Sequence, residues 1–205
     1  MLLDTWWHSG LALARGDYAA ARRLADDAVA AAPTASPAAA DVTRMSRQTV
    51  EGIVAWHEHR LSDVVPDVVD LAATVDPDWL GVLAQAHAQA GRREAALAAV
   101  ERFGRHAGEG AREPVRTVLS VDVHLELRDA ERAAALLPAL RAYGDTAIVL
   151  WPGTTFLGPA ALYRGGVLAL LGDPAAGAEL DRAEEVCTAF GFAPFLARVR
   201  ALRAL

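Results

Sequence analysis

The sequence contains neither lysine nor asparagine, so arginine supplies every basic side chain. A phosphate-binding loop of the Gly-x-x-x-x-Gly-Lys-Ser/Thr type needs a lysine, and Schiff-base catalysis needs one too. The lysine and asparagine clamp with which chaperone-binding repeat proteins hold a peptide carboxylate is excluded as well. These absences remove several common binding and catalytic chemistries from consideration.

Cysteine is also scarce, because Cys187 is the only one and no disulfide can form within the chain. This usage is typical of a reducing compartment, and we expect a cytoplasmic protein. No apolar run approaches the ~20 residues that a membrane-spanning helix needs. The net charge of −6 disfavours nucleic acid, because affinity for phosphates requires clustered positive charge. We therefore expect neither direct nucleic-acid binding nor membrane contact.

Alanine, in contrast, is abundant, with 46 of the 205 residues, and 53% of the chain is apolar. Alanine favours helices and lets them pack closely. Apolar residues at helical spacing predict an all-α fold, in which residues 147–151 are a weak strand candidate. Predicted helices cover residues 2–15, 18–32, 39–59, 62–76, 79–90, 93–103, 114–127 and 130–143. Further helices are expected from Leu157, after the turn at 172–174, and after the turn at 191–194.

Small or apolar residues recur at offsets of zero, four and seven in the second helix of each predicted pair. The sets are Ala21/Ala25/Ala28, Val65/Val69/Ala72, Ala96/Val100/Phe103, Ala133/Leu137/Leu140 and Ala176/Leu180/Ala183. Such offsets lie on one helical face and predict a stripe that packs against a neighbouring helix. We expect residues 1–205 to form a single tetratricopeptide-like α-solenoid of about five helical hairpins. A plain helical bundle is the alternative.

The last predicted helix is expected to cap this array at the C-terminus. Phe195, Val199 and Leu202 share one face, while Arg198, Arg200 and Arg203 are expected to face water. The N-terminal hairpin has no such polar cover, because Trp6 and Trp7 follow two leucines. Apolar patches of this kind mark contact sites, so a homodimer, or a complex with another chain, is predicted through the N-terminal hairpin.

Several stretches carry a family resemblance: residues 127–137, Leu157-Gly158-Pro159, residues 166–172 and residues 191–198. Together they resemble the C-terminal tetratricopeptide-like region of large actinobacterial ATPase regulators, which include LuxR-type, MalT-like and nucleotide-cyclase-linked proteins. The resemblance implies a helical repeat with a regulatory role. Two positions depart from the pattern: Arg128 stands where a turn glycine is usual, and the turn at 172–174 is one residue short. The sequence contains neither the ATPase module nor the DNA-binding helix-turn-helix of that family, so neither activity is expected.

Catalytic and metal-binding patterns are weak. His57 and His59 flank Glu58, but residues two apart on a helix point about 200° away from each other and cannot share one ion. His124 lies between two acidic residues and needs a partner from another helix to act as a base. Ser9 lacks the context of a nucleophile elbow. No catalytic residue, metal site or cofactor is therefore predicted.

The concave side of the predicted array carries the candidate binding residues. They are Trp6, Glu51, Val54, Glu58, Gln85, Gln89, Asp122 and Glu126. An acidic groove with an aromatic end suits a basic, arginine-bearing protein segment, whereas the alternative interpretation is an ordinary solvated acidic face.

The first hypothesis for function is a non-enzymatic interaction or effector-sensing module, whose partner is a protein segment or a small effector. The second is a small-molecule-binding protein or small enzyme whose pocket uses Asp122, His124, Trp151 or Tyr163. A closed pocket with converging polar groups favours the second, and an open groove favours the first.

Overall fold

The computed structural model describes residues 2–32, 37–64, 79–105, 113–150 and 155–205. The helices are α1 (Leu2–Arg15), α2 (Tyr18–Ala31), α3 (Pro37–His57), a short 3₁₀ helix (Leu61–Val64), α4 (Trp79–Gln89), α5 (Arg93–Arg105), α6 (Glu113–Glu126), α7 (Ala130–Ala135), α8 (Leu137–Ala142), α9 (Ala160–Leu170), α10 (Ala176–Phe190) and α11 (Ala193–Leu202). A two-stranded antiparallel sheet, β1 (Ala147–Leu150) and β2 (Thr155–Pro159), precedes α9. The chain is therefore mostly helical, as the alanine content predicts.

The turns between paired helices follow the local sequence. Gly16 takes φ 82°, and the Asp17 side chain accepts a hydrogen bond from the Ala20 N–H, which caps α2. Asp129 caps α7 in the same way by accepting from the Arg132 N–H. Arg128, at the position where the resemblance expects glycine, takes the left-handed conformation with φ 50°. The backbone geometry of a glycine turn is thus kept without the glycine.

Two predicted helices begin or end differently from expectation. The helix expected over 130–143 is interrupted at Leu136, because Pro138 in the next turn has no N–H for the helical ladder. The helix expected from Leu157 begins at Ala160, because Gly158 has φ 112° and Pro159 is extended. Residues 157–159 belong instead to β2, and β1, which lies within the weak strand candidate at 147–151, pairs with it. Of the predicted helix 62–76, only the 3₁₀ turn lies within the described residues.

The predicted stripes of small residues face the interior wherever the structure describes them. Ala21, Ala96 and Ala133 have no exposed surface. Only Val100, Leu137 and Ala176 among the described stripe positions are half-buried rather than buried. The set Val65/Val69/Ala72 lies outside the described residues.

The first and last helices contact each other, which places the two ends of the chain together. α1 packs against β2 and α11. The Arg15 Nε donates to the Phe190 carbonyl oxygen at 3.4 Å, and a Cβ on Gly16 would lie 3.3 Å from the Pro194 ring. The largest apolar core includes residues from α1, α3, α6, α9, α10, α11 and both strands. Long-range contacts therefore bring the first and last helices together, which the sequence pattern did not predict.

Candidate functional site

A cavity of about 130 Å³ lies beside α3, α4 and α6. Its described lining comes from six elements and the 3₁₀ helix: Met45, Thr49, Gly52, Ile53 and Trp56 of α3; Leu61 of the 3₁₀ helix; Trp79, Val82 and Gln85 of α4; Phe103 of α5; Val115 and Leu119 of α6; Leu150 of β1; and Leu157 of β2. None of these residues is charged. A close approach of α4 to its neighbours shapes one side, because a Cβ on Gly81 would meet Phe103 at 2.8 Å and Leu119 at 3.0 Å. The cavity is thus an apolar space with a few polar groups on its wall.

Gln85 is the least satisfied of these polar groups. Its residue is 3% exposed, and its Oε1 has no hydrogen-bond partner among the described residues. The other polar groups on the wall are engaged: the Thr49 hydroxyl donates to the Met45 carbonyl oxygen at 3.0 Å, and the Trp56 Nε1 donates to Asp122 at 2.8 Å. One turn after Gln85, Gln89 is also bonded, accepting from the Leu61 N–H and donating to the Trp56 carbonyl oxygen.

A largely buried ion pair lies against Trp56. Asp122 is 1% exposed and pairs with Arg198 of α11. The Arg198 guanidinium lies over two aromatic rings, 4.9 Å from the centroid of Trp56 and 5.7 Å from that of Tyr163. Burial lowers the pKa of Arg198 to about 10, which leaves it cationic at neutral pH. The prediction that Arg198 faces water is therefore wrong: it lies three residues after Phe195 and four before Leu202, on the buried face.

His57 packs beside this ion pair. Its Nδ1 shares a hydrogen bond of 3.1 Å with the Tyr18 hydroxyl, and its ring lies 5.2 Å from that of Phe195. Burial, together with the nearby charge of Arg198, lowers the pKa of His57 to about 3. The imidazole is therefore neutral at physiological pH. His59 lies past the end of α3, exposed and with φ 54°.

Three of the four acidic candidates from the sequence pair with arginines of the same chain. Glu51 accepts three hydrogen bonds from Arg22, at 2.9, 3.1 and 2.8 Å, and also pairs with Arg47. Hydrogen bonding from Arg22 is the main cause that lowers the pKa of this carboxyl. Glu58 is exposed and pairs with Arg60. Glu126 is exposed at the end of α6. The structure thus pairs Glu51, Glu58 and Asp122 with arginines of this chain.

The apolar candidates are part of the core. Val54 has no exposed surface and packs with Leu13, Ala21 and Ala25. Trp6 is 8% exposed and lines a second cavity of about 10 Å³, a size for one water molecule. The Trp6 Nε1 has no partner among the described residues. Trp7, its neighbour, is 60% exposed.

The described residues do not assemble a nucleophile with a base. The Ser9 hydroxyl donates to the Ala21 carbonyl oxygen at 2.9 Å. Burial raises the pKa of the Cys187 thiol to about 11, so it stays protonated. His124 is buried, which lowers its pKa, and its Nδ1 has no hydrogen-bond partner in the described part of the chain. Across the same residues there is no group of three or more metal-ligating side chains, and no helix is both long and apolar enough to cross a membrane.

Sequence reasoning found part of the cavity wall and missed the rest. Gln85 is one of the binding residues that the sequence predicts. The sequence pattern did not identify Gly52 or Thr49 as cavity residues, because their place on the wall depends on the helices that pack opposite them. Of the residues proposed for an interior pocket, Asp122, His124 and Tyr163 lie elsewhere in the core, and Trp151 lies outside the described residues.

Comparison with known proteins adds no relative: no family model, no curated protein and no solved structure matches this chain.

Proposed function

We propose that this protein is a non-enzymatic sensing module that binds a small, uncharged and mainly apolar effector. The cavity beside α3, α4 and α6 is the binding site. The observation that carries this proposal is the composition of the described part of the wall, whose residues include two indole rings, aliphatic side chains and one buried carboxamide but no charged group. Ligand pockets are typically apolar spaces with a small number of placed polar groups.

Cavity size and charge restrict the effector. An apolar protein cavity of roughly 150 Å³ admits a molecule the size of benzene. The cavity of about 130 Å³ is therefore suited to a single ring or a short branched chain. A charged ligand would lose its hydration without gaining an ion pair, because no lining residue described is ionisable. We expect neutral molecules to bind and their ionised analogues to be excluded.

The tetratricopeptide-like hairpin arrangement remains part of the proposal. Small or apolar residues at offsets of zero, four and seven in α2, α5 and α10, which are buried or half-buried, support it, as do the Gly16-Asp17 and Arg128-Asp129 turns. A sensing role agrees with the regulatory family that the sequence resembles. The absence of an assembled nucleophile and base among the described residues is the reason for preferring binding to catalysis.

A cavity-filling substitution tests the proposal. Gly52 lies in the middle of α3 and on the cavity wall, and a Cβ there would have only the Trp79 ring nearby, at 4.0 Å. Gly52→Leu should fill the cavity without loss of stability, because leucine is a better helix former than glycine by roughly 0.8 kcal/mol. Gly177→Leu is the matched control, since a Cβ at Gly177 of α10 meets nothing within 4 Å.

The measurement is ¹⁹F NMR of 4-fluorophenol, a neutral single-ring probe at pH 7. Line broadening should appear with the wild type and with Gly177→Leu and disappear with Gly52→Leu. Circular dichroism and thermal melting verify that both variants are folded. The proposal fails if the wild type does not bind the probe at millimolar concentration, or if Gly52→Leu binds it as well as the control.

A further inference from the structure

We infer that this protein binds a second copy of itself through the outer face of α1, with the two helices antiparallel. The outer face consists of Asp4, Trp7, His8, Leu11 and Arg15. None of these five residues lines the cavity, so the inference goes beyond the proposed function and does not depend on it. It assigns an interaction surface, its partner and the orientation of that partner.

The outer face is one stripe of α1 that points away from the core. At 3.6 residues per turn its members fall within about 100° of the helix circumference, on the side opposite the buried Leu13. Trp7 is 60% exposed, and Leu11, one turn later, is half-buried. Tryptophan is among the side chains that contribute most to protein–protein binding. The middle of the outer face is therefore an apolar contact site.

Charges of opposite sign lie at the two ends of the outer face. The Asp4 side chain is 70% exposed, and its contact with the His8 Nδ1 at 3.4 Å is exposed as well. Arg15 is also exposed. Its Nε donates to the Phe190 carbonyl oxygen at 3.4 Å, and its terminal nitrogens have no partner among the described residues. Both end charges can therefore pair with groups of a second molecule.

These charges favour a second copy as the partner and fix its orientation. In a two-fold symmetric pair both copies offer the same surface, so that surface must be complementary to itself. Parallel helices would place Asp4 against Asp4 and Arg15 against Arg15. Antiparallel helices that meet between Ser9 and Gly10 place Asp4 of each copy level with Arg15 of the other, because the two residues are equally far from that point. Two ion pairs then flank an apolar centre, the arrangement of core and rim that protein interfaces commonly have.

Two single charge reversals test this pairing. Asp4→Arg gives the outer face two positive ends, and Arg15→Asp gives it two negative ends. Each variant alone should raise the dissociation constant of the dimer ~tenfold or more, because both ion pairs become repulsive contacts. An equal mixture of the two variants should form a heterodimer of about wild-type affinity, since every positive end then faces a negative one. Sedimentation velocity over a dilution series measures the association.

Matched controls make the same changes of charge on another helix. Glu101→Arg and Arg102→Asp alter exposed residues of α5 and should leave the dimer intact. Circular dichroism and thermal melting verify that all four variants are folded.

Cysteine cross-linking tests the orientation independently of the charges. A chain with Asp4→Cys and a chain with Arg15→Cys should form a disulfide with each other when they are mixed and oxidised. Neither should cross-link to itself, because equivalent positions of an antiparallel pair lie roughly 16 Å apart along the helix axis, beyond the reach of a disulfide. Cys187 is buried and should not react.

Three outcomes would overturn the inference. The first is a wild type that is monomeric throughout the dilution series. The second is a dimer that survives either charge reversal, or a mixture of the two variants that does not associate, since another surface then makes the contact. The third is self-cross-linking of Asp4→Cys, which would show parallel helices. All three leave the proposed function unchanged, because binding of 4-fluorophenol to the cavity is measured separately.

Discussion

Arg198 of the last helix forms an ion pair with Asp122 of α6, and the guanidinium covers the face of Trp56. The sequence predicts that Asp122 and its neighbours attract a basic, arginine-bearing segment of a partner. The arginine that Asp122 binds in the structure belongs to the same chain. Asp122 also accepts the Trp56 N–H, so one buried carboxylate connects α3, α6 and α11.

Removing that carboxylate should destabilise the fold strongly. Asp122→Ala leaves a mostly buried cation and an indole N–H without their acceptor, for which we expect a loss of roughly 3–5 kcal/mol in the free energy of unfolding. Urea denaturation measures it. The control is Asp181→Ala, which breaks the exposed pair with Arg203 and should cost about 1 kcal/mol or less. Equal losses in the two variants would mean that the Arg198 pair is not buried in solution.

Close packing of α9 against α10 depends on Gly165. A Cβ at this position would lie 2.7 Å from the Cγ of Leu180 and 3.1 Å from its backbone nitrogen. Gly165→Ala should therefore lower the free energy of unfolding by roughly 1–3 kcal/mol, despite the better helix propensity of alanine. Gly177→Ala in α10 has free space and should stabilise by up to about 1 kcal/mol. Thermal melting of both variants measures whether each is stabilised or destabilised. A stabilised Gly165→Ala would contradict this packing.

Stability should fall with acidification because of His57. Its pKa is about 3 in the folded protein, against an ordinary value of 6.5. Below pH 6.5 the unfolded chain therefore binds a proton on His57 that the folded chain does not bind. The contribution of His57 to the free energy of unfolding keeps its full value above pH 6.5 and decreases as the pH falls toward 3. The slope from this residue is at most about 1.4 kcal/mol per pH unit.

Urea denaturation at pH 7.5 and at pH 5 measures this contribution. His57→Gln should reduce the stability difference between the two pH values, although the loss of the Tyr18 hydrogen bond lowers stability at both. His59→Gln changes the exposed neighbour and should keep the wild-type difference. An unchanged difference in His57→Gln would show that another group causes the acid sensitivity.

Self-association through the N-terminal hairpin remains a prediction, and the structure indicates which tryptophan to change. Trp7 is 60% exposed and is available for a contact, whereas Trp6 is buried. Light scattering should give about twice the chain mass of 21.7 kDa for the wild type. Trp7→Glu should give a monomer of unchanged stability, while Trp6→Glu should destabilise the fold.

The matched control for this prediction is Leu171→Glu, which removes an apolar side chain that is 45% exposed at the end of α9. It should leave the dimer intact. A wild type that stays monomeric at high concentration would contradict the prediction, and so would dissociation caused equally by Leu171→Glu.

Local structure was largely predictable from the sequence, because its causes lie within a few residues. The predicted helices 2–15 and 18–32 leave a turn at Gly16 and Asp17, and there the glycine takes positive φ while the aspartate caps the next helix. The errors have local causes too. Pro138 interrupts a predicted helix, and the Gly158-Pro159 pair keeps the chain extended where a helix was expected. The strand at 147–150 needed its partner, since four residues carry too weak a pattern alone.

The candidate site depended on tertiary structure. Helical periodicity placed small residues on buried faces. A mostly helical chain, and the positions of most turns between helices, could therefore be predicted from the sequence. It identified Gln85 and Asp122 as residues of interest, but not what each contacts. Two relationships are long-range: α11 packs near α6 and brings Arg198 onto Asp122, and Gly52 lies beside the Trp79 ring on the wall of the cavity. Such relationships depend on the packing of helices far apart in the chain, and the pattern within any one helix is the same whichever partner covers it.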